Sequence, residues 1–506
     1  MSSRDSDPDP GTVLVGVDAG LTNVTVTAFD GAGGELASAS RSTPTVETAS
    51  GRDEQDHDRL WDVVCEAVAA VTERVPTGAV AGVGVAGHGH GLYGLDADGA
   101  PVCGIKSTDS RALDTLEASH SDVLETVVDR LGWEPFGADP LSLLVWLREH
   151  DPAAYDRLET LLFSKDVLTH RLTGERSTDP SEASVFYGPT PEYDEEVFSA
   201  LDIEDAFDAL PPVVPSTEPC GTVTAAAAAR TGLPEGTPVA AGLHDVAACT
   251  LGAGVTEPGD GLLILGTWGQ SVAVLDAPED GESGLPRRYL NRWLRYEGLR
   301  SGAACVEWFV ENCGADWRRE AGERGVSPYV VYEEAVSDVS PGADGLVFHP
   351  FLKGSTDHPN SSGGFYGLRL EHTSAHMLRA VYEGIAISQT SALESIGADV
   401  DAIRLTGGGA QSEAWAQMFA DVSTLPVTVP TERETGALGA ALCGGVAAGV
   451  YPTVEAAVDR AVGTAVRYDP DPETEARYRA VADAFAEVGD AMESPWETLK
   501  SLAQER

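Results

Sequence analysis

The sequence predicts an α/β protein of two lobes with a cleft between them, and three observations lead there. At 506 residues the chain is long enough for two large cores, because single cores stop growing at roughly 250–300 residues. Strand-like and helix-like stretches alternate in both halves, the pattern of mixed α/β lobes. Two segments also read as one device: Leu14-Val15-Gly16-Val17-Asp18-Ala19-Gly20-Leu21-Thr22-Asn23-Val24 and Leu262-Leu263-Ile264-Leu265-Gly266-Thr267-Trp268-Gly269-Gln270-Ser271-Val272. Each is an apolar strand, a Gly/Thr turn and a second strand. Glycine lets backbone amides approach an anion closely and threonine adds a hydroxyl, so such a turn suits phosphate. One such hairpin near the start of each half implies duplicated lobes gripping one nucleotide.

Along the chain, residues 1–11 are polar and acidic and read as a disordered leader. A first lobe is expected over residues 12–255, with the first hairpin and a helix near residues 60–74. A strand near residues 80–84 then enters Ala86-Gly87-His88-Gly89-His90-Gly91, and helices follow near residues 141–150 and 165–172. Leu210-Pro211-Pro212-Val213-Val214-Pro215 reads as an extended connector. A strand over residues 239–242 leads into His244-Asp245-Val246-Ala247-Ala248. The second lobe is expected over residues 256–490, with a tail over 491–506. It holds the second hairpin, a long helix over 373–396 capped by Thr373 or Ser374, and a strand over 402–406. The loop Gly407-Gly408-Gly409-Ala410 then precedes a helix capped by Ser412.

Composition excludes several classes. The balance of 33 basic against 81 acidic residues gives a net charge of −48, which opposes nucleic-acid phosphates and anionic membranes. The acid is spread along the chain, as suits an enzyme of a high-salt cytoplasm. Seven cysteines without a C-x-x-C pair make no zinc or redox motif and fit a reduced, cytoplasmic setting. No 18-residue apolar run is present. None of the four lysines follows a glycine, so there is no P-loop. Gly82-Val83-Gly84-Val85-Ala86-Gly87 matches G-x-G-x-x-G but leads into His88 rather than a helix, so it reads as a closely packed buried strand.

Certain residues are suited to chemistry. Asp18 ends a strand just before a phosphate-type turn, where a carboxylate can hold Mg²⁺ or accept turn amides. Asp245 follows a strand and opens a helix, a place for a base or for an N-cap. His88 and His90 can donate to sugar hydroxyls, whereas H-x-H without a third ligand is a weak metal signature. Asp109 and Arg111 form a polar cluster in Lys106-Ser107-Thr108-Asp109-Ser110-Arg111. The glycines at 407–409 let a flat ring or ribose lie against backbone, and Trp415 reads as core.

Taken in order, these motifs resemble the FGGY carbohydrate kinases, within the sugar kinase/Hsp70/actin-like ATPase superfamily. The likeness runs from about residue 13 to about residue 485. Asp18-Ala19-Gly20-Leu21-Thr22-Asn23 resembles the family's D-x-G-T-T-S loop. Gly87-His88-Gly89-His90-Gly91 with Leu95-Asp96 is similar to its substrate segment G-Q-M-H-G…L-D. Asp109-Ser110-Arg111 resembles the end of W-N-D-x-R, and Gly242-Leu243-His244-Asp245 the element with the catalytic aspartate. Gly266-Thr267-Trp268-Gly269 is similar to the second phosphate loop, and Leu405-Thr406-Gly407-Gly408-Gly409-Ala410-Gln411-Ser412 to the adenosine motif.

The resemblance implies two actin-like (ribonuclease H-like) ATPase lobes, ATP and Mg²⁺, and phosphorylation of a sugar or polyol hydroxyl. By it, Asp245 is the base and Asp18 assists the metal. Gly20, Thr22, Asn23, Gly266 and Thr267 hold phosphates, and Gly407, Gly408, Gly409 and Ser412 hold adenosine. His88, Gly89, His90, Asp109, Arg111 and His244 bind the sugar. A homodimer is compatible with the chain. Thr25 stands where the family has a lysine, His88-Gly89 replaces Gln-Met, and Ser107-Thr108 replaces Trp-Asn. These departures point away from ordinary D-xylulose kinases. Residues 88–93, Pro140-Leu141-Ser142-Leu143-Leu144-Val145-Trp146-Leu147 and Lys165-Asp166 are more similar to L-xylulose kinases. Glycerol- or erythritol-type polyols and a non-transferring sensor are the alternatives.

Overall fold

The computed structural model describes residues 11–46, 51–278, 284–355 and 358–504. The expected leader, Gly11 apart, lies outside them. Both expected hairpins form. The strands Val13–Ala19 and Asn23–Asp30 pair antiparallel, as do Asp260–Leu265 and Gly269–Leu275. Every odd side chain from Val13 to Ala19 is buried, and so is Leu14. Burial on both faces, about 1.5–3 kcal/mol for each large apolar side chain, makes this a central strand.

Each hairpin seeds a seven-stranded sheet. In the first, Val13–Ala19 pairs antiparallel with Asn23–Asp30 on one side and parallel with Val80–Gly87 on the other. In the second, Asp260–Leu265 pairs antiparallel with Gly269–Leu275 and parallel with Ala402–Thr406. The duplication is therefore one of topology as well as sequence. Beyond Gly269–Leu275 the second sheet continues into Arg292–Leu299 and the edge strand Leu285–Tyr289.

The two halves interlock. The helix Thr435–Ala447, far into the second half, packs on the first sheet and on the helix Asp245–Gly252. Small residues permit this. A Cβ on Gly84 would lie 1.7 Å from the Ala440 carbonyl oxygen, one on Gly16 1.8 Å from that of Ala437, and one on Gly439 1.9 Å from that of Ala248. The G-x-G-x-x-G run is thus the closely packed buried strand expected, and the structure shows that a helix packs on it. One apolar core accordingly joins Leu14, Ala86 and Leu243 to Leu262, Leu438 and Cys443.

The long helix Ser374–Ser395 starts at the cap Thr373. Trp415 is buried, donating its indole N–H to the Tyr382 carbonyl at 3.2 Å. The helix Glu475–Gln504 is continuous through the expected tail and buries Trp496. All seven cysteines are free. No helix among the described residues is long and apolar enough to cross a membrane.

Candidate active site

Three parallel strands bring the first-half residues together. Asp18 lies opposite Ala86, and both Ala19 and His244 lie opposite Gly87. Their carboxyl ends therefore deliver Asp18, His88 and His244 to one spot, where open α/β sheets take their ligands. The first turn is braced: the Gly20 amide donates to the Asn23 carbonyl at 3.0 Å, and the Thr43 hydroxyl donates to the Gly20 carbonyl at 2.8 Å. Thr25 pairs in register with Asp18, but its hydroxyl donates away, to Ser40 Oγ at 3.2 Å.

Asp245 is the first residue of the helix Asp245–Gly252, and His244 is its cap. His244 Nδ1 accepts from the Ala247 amide at 3.0 Å, which assigns the proton to Nε2. That Nε2 is buried and has no hydrogen-bond partner among the described residues. Burial pushes the Asp245 carboxyl up to about 6, while the amides of Val246 and Gly89 hold it back. Asp18 is pushed up to about 7, first by burial and then by the charges of Asp245 and Glu434.

Asp18 Oδ1 is also buried without a hydrogen-bond partner. No group of three or more candidate metal ligands occurs among the described residues. Mg²⁺ does not require one. It is commonly held by one or two carboxylates, its other positions filled by water and substrate phosphates. An orphaned carboxylate oxygen on Asp18, with Asp245 beside it, fits that donor set.

A buried network fixes His244. The Lys165 ammonium lies between Asp166 (2.5 Å) and Asp179 (3.0 Å), all wholly buried. Asp179 accepts from the Ser181 amide and hydroxyl, and Ser181 Oγ accepts from the His244 amide at 2.9 Å. In the sequence Lys165-Asp166 stands out only as a likeness; its link to Asp179 and Ser181 is visible in space alone.

His90 has a left-handed backbone (φ 59°), a conformation that costs a non-glycine residue about 1 kcal/mol and marks a constrained site. His90 Nε2 is 3.2 Å from the Tyr296 hydroxyl, and His88 Nε2 is 3.0 Å from the Tyr93 hydroxyl. Burial lowers His88 and His244 to about 4 and holds His90 well below its usual value, so all three imidazoles are neutral near pH 7. Gly89 lies against His244: a Cβ there would be 3.0 Å from His244 Cδ2.

Asp109 and Arg111 stand in the neighbouring loop, turned toward each other. Asp109 accepts from Arg111 N, Nε and a terminal guanidinium nitrogen, and from the Asp53 amide. These four bonds occupy the acceptor capacity of a carboxylate. Arg111 also pairs with Glu54 and lies over the Trp146 ring.

The second-half residues form a separate group. A Cβ on Gly407 (φ 89°) would be 2.6 Å from the Leu265 carbonyl oxygen, which puts that loop beside the Gly266 turn; a Cβ on Gly408 would meet nothing within 4 Å. Ser412 accepts from the Trp415 amide at 3.2 Å, capping the next helix as expected. Lys353 Nζ lies over Trp268 in the second turn, 5.5 Å from the ring centroid.

Three residues at the first-half group were not singled out from the sequence. Tyr296 and Arg287 arrive from the second sheet, on Arg292–Leu299 and Leu285–Tyr289. Glu182 is 1 % exposed, with an unpartnered Oε1, and burial raises its carboxyl well above the usual range. Nothing in the alternation of the edge strand marks Arg287 as inward-facing toward a site in the other half.

The N-terminal domain model of the FGGY family of carbohydrate kinases matches residues 13–252, and the C-terminal domain model matches residues 261–448. The "L-xylulose/3-keto-L-gulonate kinase" of Escherichia coli K12 is 35% identical over 79% of this chain and 80% of its own length. The "Probable L-xylulose kinase" of Haemophilus influenzae is 30% identical over 85% of this chain and 89% of its own. Among solved structures, a xylulose kinase from Rhodospirillum rubrum superposes with a TM-score of 0.84 at 27% identity, covering 96% of this chain and all of that one (100%). The interlocked sheets are thus the actin-like ATPase fold of these kinases.

Proposed function

Because the chain belongs to the FGGY family of carbohydrate kinases, an ATP-dependent sugar kinase, we propose that its acceptor is a primary hydroxyl of a ketopentose, L-xylulose first and D-xylulose second. The relatives carry L-xylulose and xylulose in their names, and one also acts on 3-keto-L-gulonate. The observation that carries the site is Asp245: a carboxylate raised to about 6, at a helix start, flanked by Asp18 and by the amide of Gly89.

In this reading Asp245 takes the proton of the attacking hydroxyl, for which a base titrating near neutrality is suited. His90, His244 Nε2 and the buried Glu182 orient the other hydroxyls. Asp109 and Arg111, committed to each other, brace the loop that holds His88. The turns at Gly20, Thr22, Asn23 and at Gly266, Thr267 receive the phosphates, and the loop 407–409 with Ser412 receives adenosine. Asp18 would hold Mg²⁺, which when bound neutralises charge on the phosphates. Lys353, beside the second turn, offsets the cation that Thr25 does not supply. The helix Thr435–Ala447 packs on the first sheet and on the helix that Asp245 begins, and closure of the lobes would expel water from the γ-phosphate.

The test follows ADP release in molar KCl against a panel of ketoses and polyols. Asp245→Asn is expected to lower kcat by about 10³-fold or more while keeping sugar binding, since a positioned base contributes about 10²–10⁴-fold. Sugar-independent ADP release that survives the substitution would overturn the base assignment. A strong preference for glycerol or erythritol over every ketose would overturn the substrate.

A further inference from the structure

The second half holds a cavity of about 180 Å³, and none of the residues assigned above to sugar, phosphate or adenosine lines it. Four segments meet around it: the end of the strand Arg292–Leu299, the chain after the strand Val347–His349, the last turns of the helix Ser374–Ser395, and the helix Glu475–Gln504. Small residues leave the space. Ser388, Ser391 and Ser395 recur at three- and four-residue spacing, so one helix face presents hydroxyls. Gly489 withholds a side chain: a Cβ there would lie 3.4 Å from His358 Nε2 and 3.8 Å from His349 Cε1.

The lining mixes apolar rings with uncharged hydrogen-bonding groups. Phe351 and Phe485 supply the rings, with centroids 6.1 Å apart at 75°. His349 is wholly buried, and its Nε2 lies 2.9 Å from the Phe485 carbonyl oxygen, so that nitrogen carries the proton. Its Nδ1 is then an acceptor, buried and without a hydrogen-bond partner among the described residues. A buried acceptor of that kind calls for a donor. The charged residues of the lining, Glu297 and Asp490 against Arg300, carry both signs and single out neither an anion nor a cation. A hydroxylated carbon chain suits such walls, because its C–H faces lie on rings while its hydroxyls both donate and accept. Since roughly 150 Å³ accommodates benzene, the space admits one small molecule.

One wall also backs the second phosphate turn. Gly298 and Leu299 pair in register with Gln270 and Gly269. Just beyond, the amides of Gly302 and Ala303 donate to the carbonyls of Thr267 and Gly266 at 3.0 and 2.8 Å. Ser301 Oγ accepts from the Lys353 amide at 3.1 Å, and Lys353 Nζ lies over Trp268 in the same turn. We propose that the cavity is an effector site for a neutral polyhydroxylated molecule of pentitol size, whose binding tightens nucleotide binding through the turn at residues 266–269. A ligand that contacts this wall favours one arrangement of the turn, and the resulting coupling is reciprocal. The nucleotide role of the turn rests on the kinase site of the preceding section, whereas the ligand class rests on the cavity alone.

The experiment measures xylitol and ADP binding by calorimetry on the intact chain in molar KCl, for wild type, Ser391→Trp and Asp490→Lys. Both positions are exposed lining residues, and Asp490→Lys keeps the test open should the tryptophan disturb packing. Ser391→Trp, which fills the cavity, is expected to bind one xylitol fewer per chain than wild type. Asp490→Lys is expected to bind that xylitol about tenfold more weakly, as when a hydrogen bond to a charged group is lost. Saturating xylitol is expected to lower the ADP dissociation constant about fivefold in wild type, the low end of usual couplings, and to leave it unchanged in Ser391→Trp. Equal xylitol uptake by wild type and both variants would overturn the site. Tighter binding there of inorganic phosphate or glycine betaine than of xylitol would overturn the ligand class. Loss of the bound xylitol in Ser391→Trp, with an ADP constant that xylitol does not move in wild type, would overturn the link to the turn. Neither readout needs a phosphorylated sugar, so the ketopentose reading and this inference fail separately.

Discussion

At the scale of single residues, what distinguishes Asp18 and Asp245 is the company that tertiary contact gives them. Each would titrate near 3.8 in water, yet burial carries them to about 7 and about 6, with the charges of Asp245 and Glu434 adding to the rise at Asp18. The sign for activity follows. A base must be unprotonated to accept a proton, so kcat/KM for the sugar should be level well above pH 6 and fall as pH drops below it, approaching tenfold per unit. Because metal binding also needs an ionised Asp18, the concentration of Mg²⁺ giving half-maximal rate should rise below about pH 7. Initial rates across pH 5–8 at limiting sugar, repeated at several Mg²⁺ concentrations, check both. A profile flat down to pH 5 would remove Asp245 from the base role. The same scale shows the reach of sequence reading. Asp18 and Asp245 each end a strand and precede a turn or helix, so local pattern exposed them. Glu182, Arg287 and Tyr296 have no such local mark.

At the scale of elements, the contact between the helix Thr435–Ala447 and the first sheet governs the site. Gly16 shares its strand with Asp18, and Gly84 its strand with the approach to His88. Gly439 meets the helix that Asp245 begins. A methyl group at Gly84 would meet backbone at 1.7 Å, and backbone cannot swing aside as a side chain does. Gly84→Ala should therefore destabilise by about 2–3 kcal/mol or more and also lower kcat, because pushing the helix away moves Gly436, against which Asp18 Oδ2 is packed. Chemical denaturation together with steady-state rates tests this. Alanine at Gly408, where an added Cβ would meet nothing within 4 Å, is the matched control for stability. The glycine run was legible as close packing from its small residues and β-branched neighbours. Its partner, some 350 residues away in sequence by the numbering of Gly84 and Ala440, was not, because contact order leaves no trace in a local window.

At the scale of the whole molecule, a charge of −48 on 506 residues stores self-repulsion that salt screens. The melting temperature is expected to climb steadily between 0.1 and 3 M KCl, with activity following it, and differential scanning calorimetry across that range measures the effect. A melting temperature indifferent to KCl would mean the acidic surface is already compensated locally. What the sequence determined by itself was the repeated strand–turn–strand unit, the α/β class and the aspartates at strand ends. These follow from short-range rules, namely side-chain periodicity, the freedom of glycine and the geometry of turns. Which half serves which site was settled by the packing of distant segments. The second sheet's edge carries Arg287 and Tyr296 to His90, and a late helix closes over Asp18. Asp109 and Arg111 spend their bonds on each other. Those outcomes depend on which distant surfaces bury most apolar area against each other, and that is a property of the assembled chain.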